Sequence, residues 1–399
     1  MEGDIMLKSF WAKVLVCHLF CMFFVPTLSV KAEQNLAPEA QSAILMDANS
    51  GTIIFEKNGN KRLAPASITK VMTMLLIMEA IEKKKIALND EVNVSEYAAS
   101  MGGSQIFLEP GEKMRVDELL KAISIASAND ASVAMAEYIG GTEEQFVEMM
   151  NKKAKQMGLK NTHFQNPNGL PAENHYSSAR DIALLSKELL NYEQITKYTG
   201  LYQDYLRQDT KKPFWLVNTN RLVRFYDGLD GLKTGYTSIA KFCLTATAKK
   251  NDFRLIAVVM GEPNGKKRNQ EVTRMLDYGF SQYTSHIVFR KGDLIAQKEI
   301  EKGDPEQVQI RAKHPFSLLL KKGDDPKQYQ QKIRWSNLQA PIPEGEVLGH
   351  LTYEKDGKSV AHMELVTTEK IEEASFWTTI KHTLNEVLFI SDEKEKVVD

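Results

Sequence analysis

The sequence predicts an α+β fold: a helix-rich stretch bracketed by strand-forming segments, then a small all-β domain and a C-terminal amphipathic helix. Three observations carry this. Between residues 67 and 190 apolar side chains recur at helical spacing. Residues 42–57 and 222–259 alternate like paired strands. Beyond His286 short strands are punctuated by turn signals. A length of 399 residues holds two or three domains, and 43% apolar with 26% charged residues is a globular composition. That excludes a disordered chain, a collagen and a coiled-coil rod. With 51 basic and 52 acidic side chains the net charge is -1, which argues against nucleic acid as a partner.

The elements follow in order. Lys8 and Lys13 precede an apolar run over residues 14–25 that is broken only by His18 and ended by Pro26. Val30-Lys31-Ala32 offers small residues for cleavage, so residues 1–32 read as a secretory signal peptide; the run is short for a spanning helix of ~20 residues. Starting at Met6 instead of Met1 would remove Glu2 and Asp4 from this segment. Cys17 and Cys21 lie within it, which leaves Cys243 alone, a small core residue in an alternating segment. No internal disulfide is expected.

Residues 43–46 and 52–55 form a hairpin around Ala48-Asn49-Ser50-Gly51. Residues 67–82 form a helix apolar almost all round, hence one buried at the centre of its domain. Residues 116–139 hold two helical stretches with a polar break at Ser127-Ala128-Asn129-Asp130. Residues 143–157 form a helix stopped by Gly158, Asn166-Pro167-Asn168-Gly169 is a turn, and 178–190 is helical again. Strands at 242–248 and 254–259 and a helix at 269–283 close the region. The expected division is 33–284 for this domain, 285–371 for the all-β domain and 372–399 for the amphipathic helix and tail. In that helix Phe376, Trp377, Ile380, Leu384, Val387 and Leu388 trace one face. Such a face suits a membrane interface, with Trp377 at headgroup depth; docking on its own domain is the alternative.

The chemistry narrows by exclusion. The eight histidines form no H-E-x-x-H or other close ligand pair, so no metal and no cofactor is expected. No G-x-S-x-G occurs, and His175 reads as a solvated loop residue rather than a base. Serine with lysine remains. Ser67-Ile68-Thr69-Lys70 is an S-x-x-K motif; Ser238 with Lys241 and Ser391 with Lys394 match it too. Only Ser67 follows a proline and opens the buried helix, with Lys70 one turn further on the same face. A serine hydroxyl needs such a base, and an amine serves only when neutral, as burial beside a second cation makes it.

Ser127-Ala128-Asn129 interrupts helical sequence as a loop entering a cleft would. Ser127 suits proton relay and Asn129 a substrate amide, although a polar helix junction fits equally. Lys233-Thr234-Gly235 sits in alternating sequence at a strand edge, with a β-turn as the plain alternative. There Gly235 lets a substrate backbone approach, Thr234 and Thr237 suit a carboxylate, and Lys233 supplies charge and the second cation beside Lys70.

In this order the three motifs resemble those of the penicillin-recognising serine enzymes. Ala64-Pro65-Ala66-Ser67-Ile68-Thr69-Lys70-Val71-Met72-Thr73, Gly158-Leu159-Lys160-Asn161-Thr162-His163-Phe164, Tyr176-Ser177-Ser178-Ala179-Arg180-Asp181 and Asp230-Gly231-Leu232-Lys233-Thr234-Gly235-Tyr236-Thr237 look like the D-alanyl-D-alanine carboxypeptidases. The best fit is the low-molecular-mass penicillin-binding proteins of Gram-positive bacteria, with their sporulation-associated branch as a candidate. The resemblance is close over residues 41–283 and loose beyond.

It implies a β-lactamase-like antiparallel sheet flanked by helices, with a helical subdomain, followed by a β-sandwich-like domain. It implies cleavage of the terminal D-Ala from peptidoglycan stem peptides and acylation by β-lactams. Ser67 would be the nucleophile, Lys70 its base and Ser127 the proton shuttle. Asn129 would hold the peptide, Lys233, Thr234 and Thr237 the carboxylate, and the N–H groups of Ser67 and Tyr236 the oxyanion. Tyr236 stands where some relatives carry His. The implied location is extracytoplasmic, on the membrane surface through the C-terminal helix. A β-lactamase would need an E-x-x-x-N between the second and third motifs, which is missing. An esterase on the same fold and a non-catalytic cell-wall scaffold compete with this assignment.

Overall fold

The computed structural model describes residues 35–375, apart from 306, 313 and 337. The expected signal peptide and most of the expected C-terminal helix lie outside the described residues. At the centre is a five-stranded antiparallel sheet. Its strands are β1 (Ser42–Asp47), β2 (Ile53–Lys57), β3 (Leu229–Thr237), β4 (Lys241–Lys250) and β5 (Phe253–Glu262), in the order β2-β1-β5-β4-β3. The sheet is thus assembled from both ends of the domain, as the alternating segments predict.

Both faces are covered, so the inner strands are apolar on both. In β1, Ile44 and Met46 enter one core while Ala43 and Leu45 enter the other; in β5, Ile256, Val258 and Met260 oppose Leu255, Ala257 and Val259. Period-two geometry sends alternate side chains to opposite faces, and this is that split. The first core holds the helical region: α1 (Lys70–Glu82), α2 (Asn129–Gly140), α3 (Glu143–Gln156) and α4 (Ala179–Leu190). The second lies under α5 (Gly265–Gln282). Helix α1 packs against α2, α4 and β3, and all but three of its residues are buried, which explains its apolar circumference. Residues 222–225, expected as strand, form a helical turn instead, and just before it Asn220 accepts the Leu222 N–H.

The edge strand β3 is tied across β4. Asp230 receives a two-pronged ion pair from Arg254 of β5 at 2.6 and 2.7 Å. The strand therefore presents Lys233–Thr237 at a fixed height on the open edge.

Strand β5 ends on Glu262, whose carboxyl is wholly buried with neither oxygen hydrogen-bonded. It faces Glu271 of α5, which accepts the N–H groups of Glu39 and Ala40 at 2.9 and 3.1 Å. Burial, and then the Glu271 carboxylate, push Glu262 up to about 8 from its ordinary 4.5. Between those values the folded chain holds a proton that the unfolded chain has lost, so stability falls as pH rises through the window. Glu262→Gln should flatten that part of the Tm-against-pH curve; parallel curves for the two proteins would disprove the retained proton.

After α5, residues 283–289 pair with 316–321 and 294–299 with 307–311, while 330–335, 347–355 and 358–366 form a three-stranded sheet around one small core. This is the expected all-β domain. Glu372–Glu373, expected to begin a helix, are instead a strand paired with Gly303–Asp304. The neighbouring Ile371 is buried and exchanges two backbone bonds with Ile342, so the chain is held extended there.

Candidate active site

Ser67 lies in a short 3₁₀ turn, Ala66–Thr69, that runs directly into α1. Ala66 sits at φ 48°, a left-handed setting that a non-glycine residue adopts only under constraint from its surroundings. Lys70, the first residue of α1, is wholly buried. Its Nζ lies 3.2 Å from Ser67 Oγ, 2.6 Å from Asn129 Oδ1 and 2.6 Å from the Asn168 carbonyl. Two of these partners are oxygens that can only accept. A neutral amine gives them its two N–H bonds and turns its lone pair toward the Ser67 hydroxyl, which then donates.

The electrostatics favour that state. Burial, and then the Lys233 charge, hold the Lys70 amine well below the ordinary lysine range, with Asp130 opposing. Lys233 is itself buried and bonds the Thr234 carbonyl at 3.0 Å; burial, and then the Arg268 charge, bring it down to about 7. Arg268 thus acts on Lys233 and Lys233 on Lys70, and this succession of cations biases the innermost toward neutrality. Lys233 thus lies near enough for its charge to act on Lys70.

The S-x-N segment follows a π-type turn, Ala122–Ala126, and turns sharply at Ser127, with φ 65°. The break is shorter than expected. Asn129 and Asp130 already belong to α2, because their groups are satisfied there. Asn129 donates its N–H to Ser104 and its Nδ2 to Gly102, and Asp130 accepts the N–H groups of Ile106 and Leu108. The helix thus pins the 102–108 loop on one side of the serine.

On the other side, β3 rests on the serine turn. A Cβ on Gly235 would meet the Pro65 carbonyl oxygen at 3.0 Å and the Ile68 nitrogen at 3.1 Å, so a side chain there would crowd the serine turn and push the strand back by a few tenths of an ångström. Thr234 donates its hydroxyl to Thr219 at 2.7 Å. Thr237 accepts the Ala240 N–H, and Tyr236 is exposed with its ring 4.4 Å from that of Phe242. K-T-G is therefore strand, not turn. Beside the serine turn a groove of about 370 Å³ is lined by Pro65, Ala66, Leu170, Glu173, Thr237 and Ile239 among others, while Ser67 itself does not line it.

Other candidates resolve simply. Ser238 and Lys241 are exposed at the turn between β3 and β4, and Ser391 with Lys394 lies outside the described residues. His175, expected in solvent, is buried: its ring contacts the Thr69 hydroxyl at 2.9 Å and accepts the Gln165 N–H, and burial brings it down to about 4. It braces the serine turn as a neutral ring. Cys243 is a buried core thiol that burial pushes up to about 11. Among the described residues no His, Cys, Asp and Glu cluster is placed to hold a metal ion.

Sequence reasoning missed several residues of the site. Asn168 supplies a carbonyl to Lys70, and Gly169, at φ +86°, lets that loop touch the serine turn. The Asn-Pro-Asn-Gly cluster signalled the turn but not its target. Arg268 and Thr219 carry no local signal, since only the sheet topology brings them near β3.

A serine within hydrogen-bond reach of a buried lysine, faced by a strand edge that carries a second buried lysine, is the arrangement of a serine acyl-transfer enzyme of the penicillin-recognising type. Residues 29–264 match the family described as D-alanyl-D-alanine carboxypeptidase, and residues 283–373 match the penicillin-binding protein 5 C-terminal domain. The chain belongs to the D-alanyl-D-alanine carboxypeptidase family of serine-type hydrolases. It is 52% identical over 377 residues to D-alanyl-D-alanine carboxypeptidase DacF of Bacillus subtilis, covering 93% of this chain and 97% of the relative. It is 34% identical to D-alanyl-D-alanine carboxypeptidase DacC of Escherichia coli, over 90% and 91%. Among solved structures it is similar to penicillin binding protein 5 from Haemophilus influenzae, with TM-score 0.67 and 34% identity over 84% of this chain and 98% of that one. Penicillin-binding protein D2 from Listeria monocytogenes, in its ampicillin-bound form, is similar over 62% of this chain and all of that one, with TM-score 0.54 and 28% identity.

Proposed function

We propose that this D,D-carboxypeptidase removes the terminal D-Ala from peptidoglycan stem pentapeptides through an acyl-enzyme on Ser67, and so limits cross-linking during cell-wall maturation. The contact of Lys70 Nζ with Ser67 Oγ, beside two acceptor oxygens, carries this reading. Lys70 takes the hydroxyl proton as Oγ attacks the carbonyl of the penultimate D-Ala. The N–H groups of Ser67 and Tyr236 receive the oxyanion, where losing one donor typically costs ~2.7–4 kcal/mol. Ser127 passes a proton to the leaving amine, and water then cleaves the ester. Asn129 holds the stem peptide. Lys233, Thr234 and Thr237 take the carboxylate, while Gly235, expected to admit the substrate backbone, instead lets the strand lie against the serine turn.

Of the three oxygens around Lys70, two belong to amide groups and the third is the Ser67 hydroxyl, and among the described residues no carboxylate is hydrogen-bonded to it or to Ser67. A penicilloyl ester on Ser67 should therefore persist, which favours inhibition by β-lactams over their destruction. Incubation with a fluorescent penicillin, tryptic mapping of the adduct and a released-D-Ala assay test this together. The expected result is a stable adduct on the Ser67 peptide and D-Ala release from a pentapeptide. Rapid penicillin turnover would assign a β-lactamase, and no adduct on folded protein would favour the scaffold.

Residues 33–284 are taken as the catalytic unit and 285–371 as a stalk. The segment beyond is taken to hold the enzyme on the outer face of the cytoplasmic membrane, where its one-sided apolar sequence suits an interfacial attachment. None of the described helices is long and apolar enough to cross a membrane. Deleting residues 376–399 should move the protein from the membrane to the soluble fraction with D-Ala release intact; continued sedimentation with membranes would place the anchor elsewhere.

A further inference from the structure

Thr219 is exposed at the cleft, while the Thr234 hydroxyl beside it belongs to a nearly buried residue. The backbone of Thr219 is held unusually firmly for a loop residue. Its N–H donates to the Ile125 carbonyl, at the end of the turn that leads into Ser127. It is flanked by two buried asparagines that spend their side chains on backbone groups. Asn218 donates to Thr199 and Leu201 and accepts the Asn220 N–H. Asn220 donates to the Gly231 carbonyl of β3 and accepts the Leu222 N–H. Thr219 is thus built into both the S-x-N side and the K-T-G side of the cleft.

Donor counting gives the consequence. A threonine hydroxyl has one hydrogen. Thr234 directs its own at Thr219 Oγ1, 2.7 Å away, so that hydrogen is not available to a carboxylate. The hydrogen left over belongs to Thr219. If the two hydroxyls rotate together, Thr219 donates to Thr234 and Thr234 then faces outward. Either way the pair offers one donor, and each hydroxyl sharpens the other. We propose that Thr219 is part of the carboxylate subsite, its hydroxyl forming with Thr234 a two-member donor chain that ends on the terminal carboxylate of the substrate. The proposal rests on the carboxylate end assigned above to Lys233, Thr234 and Thr237.

The test compares benzylpenicillin with its methyl ester, which keeps the reacting amide and lacks the charged carboxylate. Second-order acylation rates are measured on the full chain for wild type, Thr219→Val, Thr219→Ser and Thr234→Val. A hydrogen bond to a charged group supports an expected ~10-fold loss for Thr219→Val with the acid and less than ~2-fold with the ester. Thr219→Ser, which keeps the hydroxyl, should restore the acid rate to within ~2-fold of wild type. Thr234→Val should show the same selective loss. An equal loss for acid and ester in Thr219→Val would make the residue merely structural and overturn the proposal, as would an unchanged rate. If Thr234→Val also fails to distinguish acid from ester, the carboxylate assignment itself falls; if it distinguishes them and Thr219→Val does not, only the role of Thr219 falls.

Discussion

Lys70→Met should abolish acylation of Ser67 while leaving the protein folded. Methionine fills a similar volume, but it leaves the Asn129 and Asn168 oxygens without their donor in a buried site, so Tm should fall modestly while the chain still folds. What is lost is the base. General-base contributions of ~10²–10⁴ set the expected fall in acylation rate, measured by quenched labelling with fluorescent penicillin. Lys70→Arg should fall as far, because a guanidinium cannot give up its proton. That comparison separates base catalysis from simple charge. An active Lys70→Arg enzyme would mean that a permanent cation suffices, and the argument from a neutral amine would be wrong.

Gly169→Ala should cost nearly as much, although glycine 169 does no chemistry. At φ +86° any side chain is strained, and here the new Cβ would stand 1.9 Å from the Ala66 carbonyl oxygen and 2.9 Å from the Ser67 nitrogen. Neither is a flexible group, so the loop or the serine turn must move. The same loop brings the Asn168 carbonyl to Lys70 and the Pro167 carbonyl to Thr73. Misplacement of about 1 Å at a reacting group is worth ~10²-fold, the loss expected in both acylation and D-Ala release. Gly111→Ala is the control: φ is +78° there too, but a Cβ meets open space, so backbone strain is matched without collision. Equal effects from the two substitutions would refute the packing argument.

Much of this was legible in sequence because it is periodic or local. The apolar circumference of 67–82 gave a central helix, and the alternation of 242–248 and 254–259 gave adjacent strands. The S-x-x-K spacing is one helical turn, so Lys70 beside Ser67 needed no tertiary knowledge. What stayed hidden depends on long-range closure. Thr219 and Arg268 reach the site through the placement of β3, and the Asn168 carbonyl through a loop that folds onto the serine turn; no local pattern encodes either. His175 was misjudged because a histidine in a polar loop normally meets water, while this loop folds inward over Thr69. The helix expected from Glu372 yielded to strand pairing at its first two residues, since two backbone bonds and a buried isoleucine outweigh a local preference for helix.

The strand order has one more consequence, for assembly. β1 lies between β2 and β5, so a strand from the start of the domain is hydrogen-bonded to one from its end. Closing so long a loop carries a large entropic cost before any contact repays it, and such topologies fold late and slowly. Whether the chain emerges from a ribosome or through a membrane, N-terminus first, the serine, both its lysines and the K-T-G edge are all out before the sheet can close. Activity therefore begins with the arrival of β5, a strand to which no catalytic residue is assigned.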